Sequence, residues 1–103
     1  MKISYEDFHN IPWKQRNGIY EVENYATYYY VNGELHREDG PASVLINGNG
    51  TWFFNGKYHR LDGPAIKLYD GRGQYYIEGL YYSTKKEFKK AAYLYKNGLQ
   101  DYL

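Results

Sequence analysis

The sequence contains no cysteine among its 103 residues, so neither a disulfide nor a thiolate metal site can stabilise it. We therefore expect a reducing, cytoplasmic compartment. No apolar run approaches the length needed to span a bilayer, and the opening Met-Lys-Ile-Ser-Tyr-Glu-Asp lacks the apolar stretch of a signal peptide. The formal net charge is only +1, which gives no overall field to attract nucleic acid. These shortages predict one soluble domain, residues 1–103, without membrane contact, and they argue against nucleic acid as a partner.

A stretch of sequence occurs twice, 23 positions apart. Residues 32–43 read Asn-Gly-Glu-Leu-His-Arg-Glu-Asp-Gly-Pro-Ala-Ser, and residues 55–66 read Asn-Gly-Lys-Tyr-His-Arg-Leu-Asp-Gly-Pro-Ala-Ile. A fixed period of this size predicts a small supersecondary unit stacked on copies of itself. A residue that recurs in every unit is better explained by the shape of the unit than by a chemical step.

Each unit is predicted to form a hairpin. In the middle unit two β-rich runs flank Asn47-Gly48-Asn49-Gly50, and an Asn-Gly between such runs is a strong hairpin signal. The same step of 23 forward and backward gives a second turn at Asp70-Gly71-Arg72-Gly73 and a third near Asn24. The predicted strands, all within repeats that span 18–79, are residues 19–23, 27–31, 42–46, 51–54, 65–69 and 74–77.

The two ends of the chain are predicted to cap the repeats. Thr84 and Glu87 form a capping box, and a stripe of apolar residues follows at helical spacing before Gly98, which predicts a helix over 84–97. Residues 1–17 are expected to cap the first unit with a helical turn. The predicted class is mainly β (α+β): three stacked antiparallel β-hairpins in a meander sheet with a C-terminal capping α-helix that covers the open end.

Aromatic residues make up 20% of the chain, 15 of them tyrosines, and they recur in columns at the period of 23. Trp52 and Phe54 belong to columns that face one way, because side chains alternate along a strand. We expect that face to be core. A further column faces the opposite way and consists of Tyr30, Phe53 and Tyr76. The sequence is equally compatible with two roles for this column, core or exposed binding surface.

The repeated His-Arg-x-Asp-Gly-Pro-Ala segment is predicted to shape the backbone. Asp bonds nearby amides, Gly adopts positive φ, and Pro fixes the exit into the next strand. Arg and Asp in one loop are expected to pair, and His to donate to a carbonyl across the loop. Two alternatives stay open. One is anion or phosphate binding by Arg37 and Arg60, and the other is a general-base pair, His36 with Asp39 or His59 with Asp62.

Catalysis is nevertheless not expected. The chain has no cysteine, no serine lies in an elbow motif, and both His–Asp pairs are repeated although active sites are normally single. His9, His36 and His59 match no metal-ligand spacing. We therefore predict no catalytic residue, no metal site and no cofactor.

Positive charge is concentrated near the C-terminus. Residues 85–96 carry five lysines against Glu87 alone. Such a run is usually the solvated face of a helix, and the alternative is electrostatic contact with an acidic partner, for which Lys86 and Lys90 are the candidates. No phosphate-binding loop or RNA-binding aromatic motif accompanies it.

The period of 23, with an aromatic residue just before each turn (Tyr30, Phe53, Tyr76), resembles the MORN repeat. The His-Arg-x-Asp-Gly-Pro-Ala variant and the Tyr-Ser-Thr-Lys-Lys-Glu-Phe ending are similar to MORN-like repeats of small proteins of tailed bacteriophages and some bacteria. The resemblance covers about residues 18–98. It implies stacked β-hairpins and protein–protein contact or dimerisation, and, for a phage protein, action on a host enzyme or host defence in the host cytoplasm.

The predicted function is that of a non-enzymatic binding protein, a phage accessory or counter-defence factor. It would block a host protein or sequester a small nucleotide-like signalling ligand through an aromatic hairpin face. The alternative is a structural module that assembles into homo-oligomers. The candidate binding residues are Tyr30, Phe53, Tyr76, His36, Arg37, His59, Arg60, Lys86 and Lys90.

Overall fold

The computed structural model describes residues 1–102. The chain begins with β1 (Lys2–Ile3), helix α1 (Tyr5–Asn10) and a 3-10 turn (Trp13–Gln15). The strands that follow are β2 (Gly18–Val22), β3 (Ala26–Val31), β4 (Glu34–Leu35), β5 (Ser43–Leu45), β6 (Gly50–Thr51), β7 (Phe53–Phe54), β8 (Lys57–Tyr58), β9 (Ile66–Lys67), β10 (Gly73–Ile77) and β11 (Leu80–Tyr82). Helix α2 (Lys85–Lys96) and a 3-10 turn (Gln100–Tyr102) complete it.

The strands form an antiparallel meander. Nine of them make one sheet in the order β1-β2-β3-β5-β6-β9-β10-β11, with β4 paired to β3 off this path. β7 and β8 form a separate two-stranded ribbon. Among the strands of residues 1–102, β1 alone runs parallel to its neighbour, β2. The predicted class, mainly β with an antiparallel meander and a C-terminal helix, is confirmed.

The three predicted hairpins are present as β2–β3, β5–β6 and β9–β10. The prediction of six strands was wrong, because the turns at Asn32-Gly33, Asn55-Gly56 and Glu78-Gly79 each form a second hairpin in their unit. At Asn55-Gly56 the two φ angles are 50° and 77°, and at Glu78-Gly79 they are 48° and 84°. Two successive positive φ angles are the mark of a type I′ hairpin turn, which matches the twist of its strands. The added hairpins are β3–β4, β7–β8 and β10–β11.

Helix α2 begins where the sequence predicts. The side-chain hydroxyl of Thr84 accepts a hydrogen bond from the Glu87 backbone N–H at 3.1 Å, as in the capping box. Ser4 caps α1 in the same way, through the N–H of Asp7. Gly98 lies just beyond α2 with a φ of 69°, a conformation suited to a helix stop. Within residues 1–102 neither helix is both long and apolar enough to cross a membrane.

The two helices cover opposite faces at opposite ends of the meander. From α1, Phe8 packs on Tyr20 and Val22, with Tyr28 and Tyr30 beside them. From α2, Phe88 packs with Ala91 and Ala92 on Ile77. Tyr30 and Ile77 belong to columns of opposite orientation, since their positions within the unit differ by one residue.

Coverage by α2 decides how much of a column is buried. Val31 and Ile77 occupy the same position in the first and last units. Val31 is 47% exposed, whereas Ile77, beneath α2, is 2% exposed. In the middle unit Trp52 and Phe54 are half-buried. This column is therefore buried beneath α2 at Ile77, half-buried in the middle unit and exposed at Val31 in the first unit.

Candidate functional site

The two His-Arg-x-Asp-Gly-Pro-Ala loops form the same internal bonds. The Nε of Arg37 donates to Asp39 Oδ1 at 2.9 Å, and its Nη1 donates to the Pro41 carbonyl at 3.2 Å. The equivalent bonds of Arg60 have the same lengths. This pairing holds the pKa values of Asp39 and Asp62 below the ordinary aspartate value, chiefly through the hydrogen bond from the arginine. The predicted Arg–Asp pairing is confirmed.

Each guanidinium also lies on an aromatic ring. Arg37 is 4.1 Å from the centroid of Tyr29, and Arg60 is 3.9 Å from that of Trp52. The two arginine side chains are 28% and 20% exposed. Each cation is thus held between an aromatic ring below and a carboxylate and carbonyl of its own loop. These contacts give both arginines a structural role.

The glycines of the motif serve a purpose that the sequence did not reveal. The expectation of positive φ at Gly40 and Gly63 was wrong, because neither is among the positive-φ residues of the chain. A Cβ on Gly63 would lie 2.8 Å from the guanidinium carbon of Arg60, and one on Gly40 would lie 2.9 Å from that of Arg37. A side chain at either glycine would displace the arginine from its aspartate, its carbonyl and its aromatic ring.

The histidines accept a hydrogen bond and do not donate one across the loop as predicted. His36 Nδ1 accepts from the backbone N–H of Asn55, and His59 Nδ1 accepts from that of Glu78, both at 3.0 Å. The acceptors are needed because these N–H groups begin the tight turns and lie outside the strand ladder. In the first unit Asn17 Oδ1 does the same for Asn32, at 3.1 Å. The sequence hid this equivalence because Asn17 is out of register with the histidines.

Burial lowers the pKa of His59, and the nearby carboxylate of Glu78 opposes this only in part. Neutral imidazole is the form that can accept at Nδ1. Glu78 also accepts from the Tyr95 hydroxyl, which raises the pKa of Tyr95 to about 12. His59 and Tyr95 thus join the last turn to α2 through the same residue.

The two loops border a common cleft of about 620 Å³. Arg37, His59 and Arg60 line it, together with Trp52 and Lys96. His36 is not a lining residue, and its ring packs on Phe54, 4.5 Å between centroids. Within residues 1–102 no group of three or more His, Asp or Glu side chains is placed to hold a metal ion.

A chain of aromatic rings runs along the opposite face of the last two units. The ring centroids of Phe53 and Tyr58 are 4.9 Å apart, those of Tyr58 and Tyr76 are 5.0 Å apart, and those of Tyr76 and Tyr81 are 5.4 Å apart. We call these four residues the aromatic strip. Tyr58 is 37% exposed and Tyr81 is 56% exposed. The strip is a continuous aromatic surface that is partly exposed.

Sequence reasoning found half of the strip and missed Tyr58 and Tyr81. Tyr58 lies directly opposite Phe53 across its turn, and Tyr81 lies opposite Tyr76. The two missed residues and Leu35 are themselves spaced by 23. This second column was visible in the sequence, but its meaning depended on the second hairpin of each unit.

Tyr30, the first member of the predicted column, lies elsewhere. Its ring packs edge-on against Tyr20, and its hydroxyl accepts a hydrogen bond from Arg16 at 2.9 Å. It also forms one wall of a cleft of about 400 Å³ that ends at Phe53. The structure therefore brings Phe53 and Tyr76 together through Tyr58 and places Tyr30 in the N-terminal aromatic cluster.

The predicted lysines are exposed on α2. Lys86 and Lys90 do not line the groove that Lys85, Lys89 and Lys96 form along the helix. The structure therefore does not gather the lysines of α2 into one site.

Comparison of the chain with protein-family models, with curated proteins and with solved structures found no match.

Proposed function

We propose that the chain is a non-enzymatic binding protein that recognises a protein partner through the aromatic strip. The observation that carries this proposal is the unbroken series of rings from Phe53 to Tyr81, which neither helix covers. Tyrosine and phenylalanine are enriched in protein interfaces, and tyrosine is also enriched at the positions that contribute most binding energy. A rigid aromatic surface of this kind loses little side-chain entropy when a partner binds.

The difference between the loops of the repeated motif and the aromatic strip supports a binding role. The charged residues of the repeated motif are engaged in their own loops, and both histidines use Nδ1 to accept a backbone hydrogen bond. A general base needs a free lone pair within reach of a substrate proton. In the aromatic strip, by contrast, Tyr58 and Tyr81 each keep an exposed part of the ring that is available to a partner.

The resemblance to MORN-like repeats is consistent with this proposal. The contacts of Arg37, His36 and Gly56 recur 23 residues later at nearly the same distances. We extend the proposal to a phage accessory protein that acts in the host cytoplasm and blocks a host protein. The extension depends on the resemblance, whereas the binding surface depends on the geometry.

A second candidate is the sequestration of a small nucleotide-like ligand in the cleft between the loops. The cleft of about 620 Å³ favours it, because its size suits a small molecule and Trp52 and Lys96 line it. The guanidinium groups of Arg37 and Arg60 weigh against it, since each already donates to an aspartate. Protein binding by the strip is therefore the first proposal.

The test is capture of a partner from a bacterial lysate by the wild-type chain, Tyr58→Ala and Tyr69→Ala. Tyr69 is 72% exposed and lies outside the strip, so it is a matched control. We expect Tyr58→Ala to lose a protein that the wild type and Tyr69→Ala retain. Equal capture by all three would contradict the proposal.

The second candidate has its own test. A thermal-shift screen with cyclic nucleotides and ADP-ribose-type ligands would reveal a ligand at 100 times its Kd as about 2.7 kcal/mol of added stability. We expect no such shift. A shift that Trp52→Ala abolishes would favour sequestration over protein binding.

A further inference from the structure

The outer edges of β4 and β8 are both occupied by the part of the chain that follows. The carbonyl of Leu35 accepts from the N–H of Gly56 at 2.9 Å, and the N–H of Arg37 donates to the carbonyl of Phe53 at 3.1 Å. These bonds attach one unit to the next. The same two bonds recur 23 residues further on, at 2.8 and 3.2 Å, and join Tyr58 and Arg60 to Gly79 and Tyr76.

β11 is the third strand in this series, and its outer edge is open. The groups equivalent to those of β4 and β8 are the carbonyl of Tyr81 and the N–H of Ser83. Neither has a hydrogen bond within the part of the chain that the structure describes. Tyr76 lies opposite Tyr81 but turns its carbonyl to Arg60, away from β11. Because N–H and C=O of one residue point the same way in an antiparallel strand, the backbone groups of Tyr81 point outward.

The open edge also lacks the usual protection. Exposed edge strands commonly carry charged residues that discourage pairing with another chain. In this chain the charges Glu34 and Lys57 lie on the two filled edges, whereas the equivalent residue of β11 is Leu80. Leu80 is 64% exposed and Tyr81 is 56% exposed. The edge is thus apolar as well as unpaired.

We propose that β11 is the docking edge for an extended segment of a protein partner, which pairs with it as an added strand. This inference rests on the proposed function, because the added strand would lie at the end of the aromatic strip. Addition of a strand to a sheet edge is a general mode of peptide recognition, in which main-chain bonds give affinity and alternate side chains give specificity.

The chain itself shows the chemistry of the segment that fits. In each segment that bonds to the outer edge of β4 or β8, the carbonyl acceptor belongs to an aromatic residue, Phe53 or Tyr76. The N–H donor of the same segment lies three residues later, at Gly56 or Gly79. The ring of Tyr76 then contacts Tyr58 at 5.0 Å across the edge. A partner segment with an aromatic residue opposite Ser83 would place its ring against Tyr81 in the same manner.

In a second copy, within residues 1–102, each glycine N–H that lies three residues after an aromatic residue is already hydrogen-bonded. The N–H groups of Gly56 and Gly79 already donate to the carbonyls of Leu35 in β4 and Tyr58 in β8. The equivalent group of the first unit, the N–H of Gly33, donates to the carbonyl of Arg16 at 2.8 Å. The open strand of a second copy is its own β11, and there Thr84, not glycine, lies three residues after Tyr81. We therefore assign the edge to a different protein, and a dimer that fills it would contradict this assignment.

The test uses the full chain labelled with ¹⁵N and a synthetic peptide of the sequence of residues 51–57, Thr-Trp-Phe-Phe-Asn-Gly-Lys. In the free chain we expect the amide of Ser83 to exchange rapidly and those of Arg37 and Arg60 slowly. Saturating peptide should slow exchange at Ser83 at least tenfold and leave the other two unchanged. The control peptide is N-methylated at its glycine, which removes the donor to Tyr81, and we expect it to bind about fivefold more weakly.

Three results would overturn the inference. The first is rapid exchange at Ser83 in saturating peptide, and the second is equal affinity for the N-methylated peptide. The third is slow exchange at Ser83 without peptide in a chain that sediments as a dimer, because a second copy would then fill the edge. The proposed function fails separately, through equal capture by Tyr58→Ala. A captured lysate protein that leaves the Ser83 amide rapid would reject the docking edge alone.

Discussion

The imidazole Nδ1 of His59 lies 3.0 Å from the backbone nitrogen of Glu78 and accepts its hydrogen bond. Glu78 has a φ of 48°, so this bond is made to the first residue of a left-handed turn. His36 makes the same bond to Asn55, whose φ is 50°. The histidine of the repeated motif therefore stabilises the turn that starts the second hairpin, and its ring nitrogen is used in folding.

The first prediction concerns pH. Burial lowers the pKa of His59, whereas the unfolded chain keeps an ordinary histidine pKa of 6.5. The unfolded state therefore binds the proton first, and the stability due to neutral His59 is complete above 6.5 and declines as pH falls below it. His59→Asn should flatten this dependence, because Asn can supply the acceptor as Asn17 does.

Urea unfolding of both proteins over a pH series measures the effect. The unfolding free energy of the wild type should fall more steeply than that of His59→Asn below pH 6.5. Parallel curves would show that the neutral imidazole contributes nothing to the turn.

The second prediction concerns the stacked arginines. Arg60→Lys should lower the unfolding free energy by about 1 to 2 kcal/mol, because lysine cannot stack flat on Trp52 while it donates to two loop acceptors. Arg37→Lys, on Tyr29, should behave alike. Arg72 is the control, since it is 76% exposed although it too pairs with an aspartate. A loss for Arg72→Lys equal to that for Arg60→Lys would contradict the role given to burial and stacking.

The third prediction concerns Gly63. Gly63→Ala should cost about 1 to 3 kcal/mol in the wild type, because its Cβ would overlap the guanidinium of Arg60. In an Arg60→Ala background the same substitution should cost little, because the obstacle is gone. The double-mutant cycle is read by urea unfolding. An equal cost in both backgrounds would mean that the backbone, and not Arg60, requires glycine.

The fourth prediction contrasts two tyrosines that belong to different columns of the repeat. Tyr30→Ala should cost about 2 kcal/mol or more, since Tyr30 packs on Tyr20 and Phe8 and bonds to Arg16. Tyr81→Ala should change stability by no more than about 0.5 kcal/mol, because Tyr81 is 56% exposed. Thermal unfolding of the two variants measures the contrast. A larger loss for Tyr81→Ala would place the strip in the core.

Much of the fold follows from local signals in the sequence. The Asn-Gly turns, the period of 23 and the capping residues Thr84 and Glu87 predict the three main hairpins and α2. The third strand of each unit did not follow, since β4 and β8 are two residues long and show no alternation. Their outer edges bond to the next unit, for example through the Gly56 N–H and the Leu35 carbonyl, and no short window of sequence contains such a contact.

The candidate site was only partly predictable for a similar reason. Period and alternation identify Phe53 and Tyr76, but whether a column is covered depends on where the terminal helices lie. Phe8 of α1 packs on Tyr30, whereas α2 lies on the opposite face and leaves Tyr76 uncovered. The roles of Arg37 and Arg60 depended on a folded-back side chain that periodicity does not describe.

The most direct measurement of the central claim is a crossed comparison of Tyr81→Ala and Arg60→Ala, each assayed for thermal stability and for capture of the lysate protein below its unfolding transition. The account predicts that Tyr81→Ala keeps its stability and loses capture, whereas Arg60→Ala loses stability and keeps capture. The reverse pattern, with capture lost in a stable Arg60→Ala and kept in Tyr81→Ala, would contradict the account.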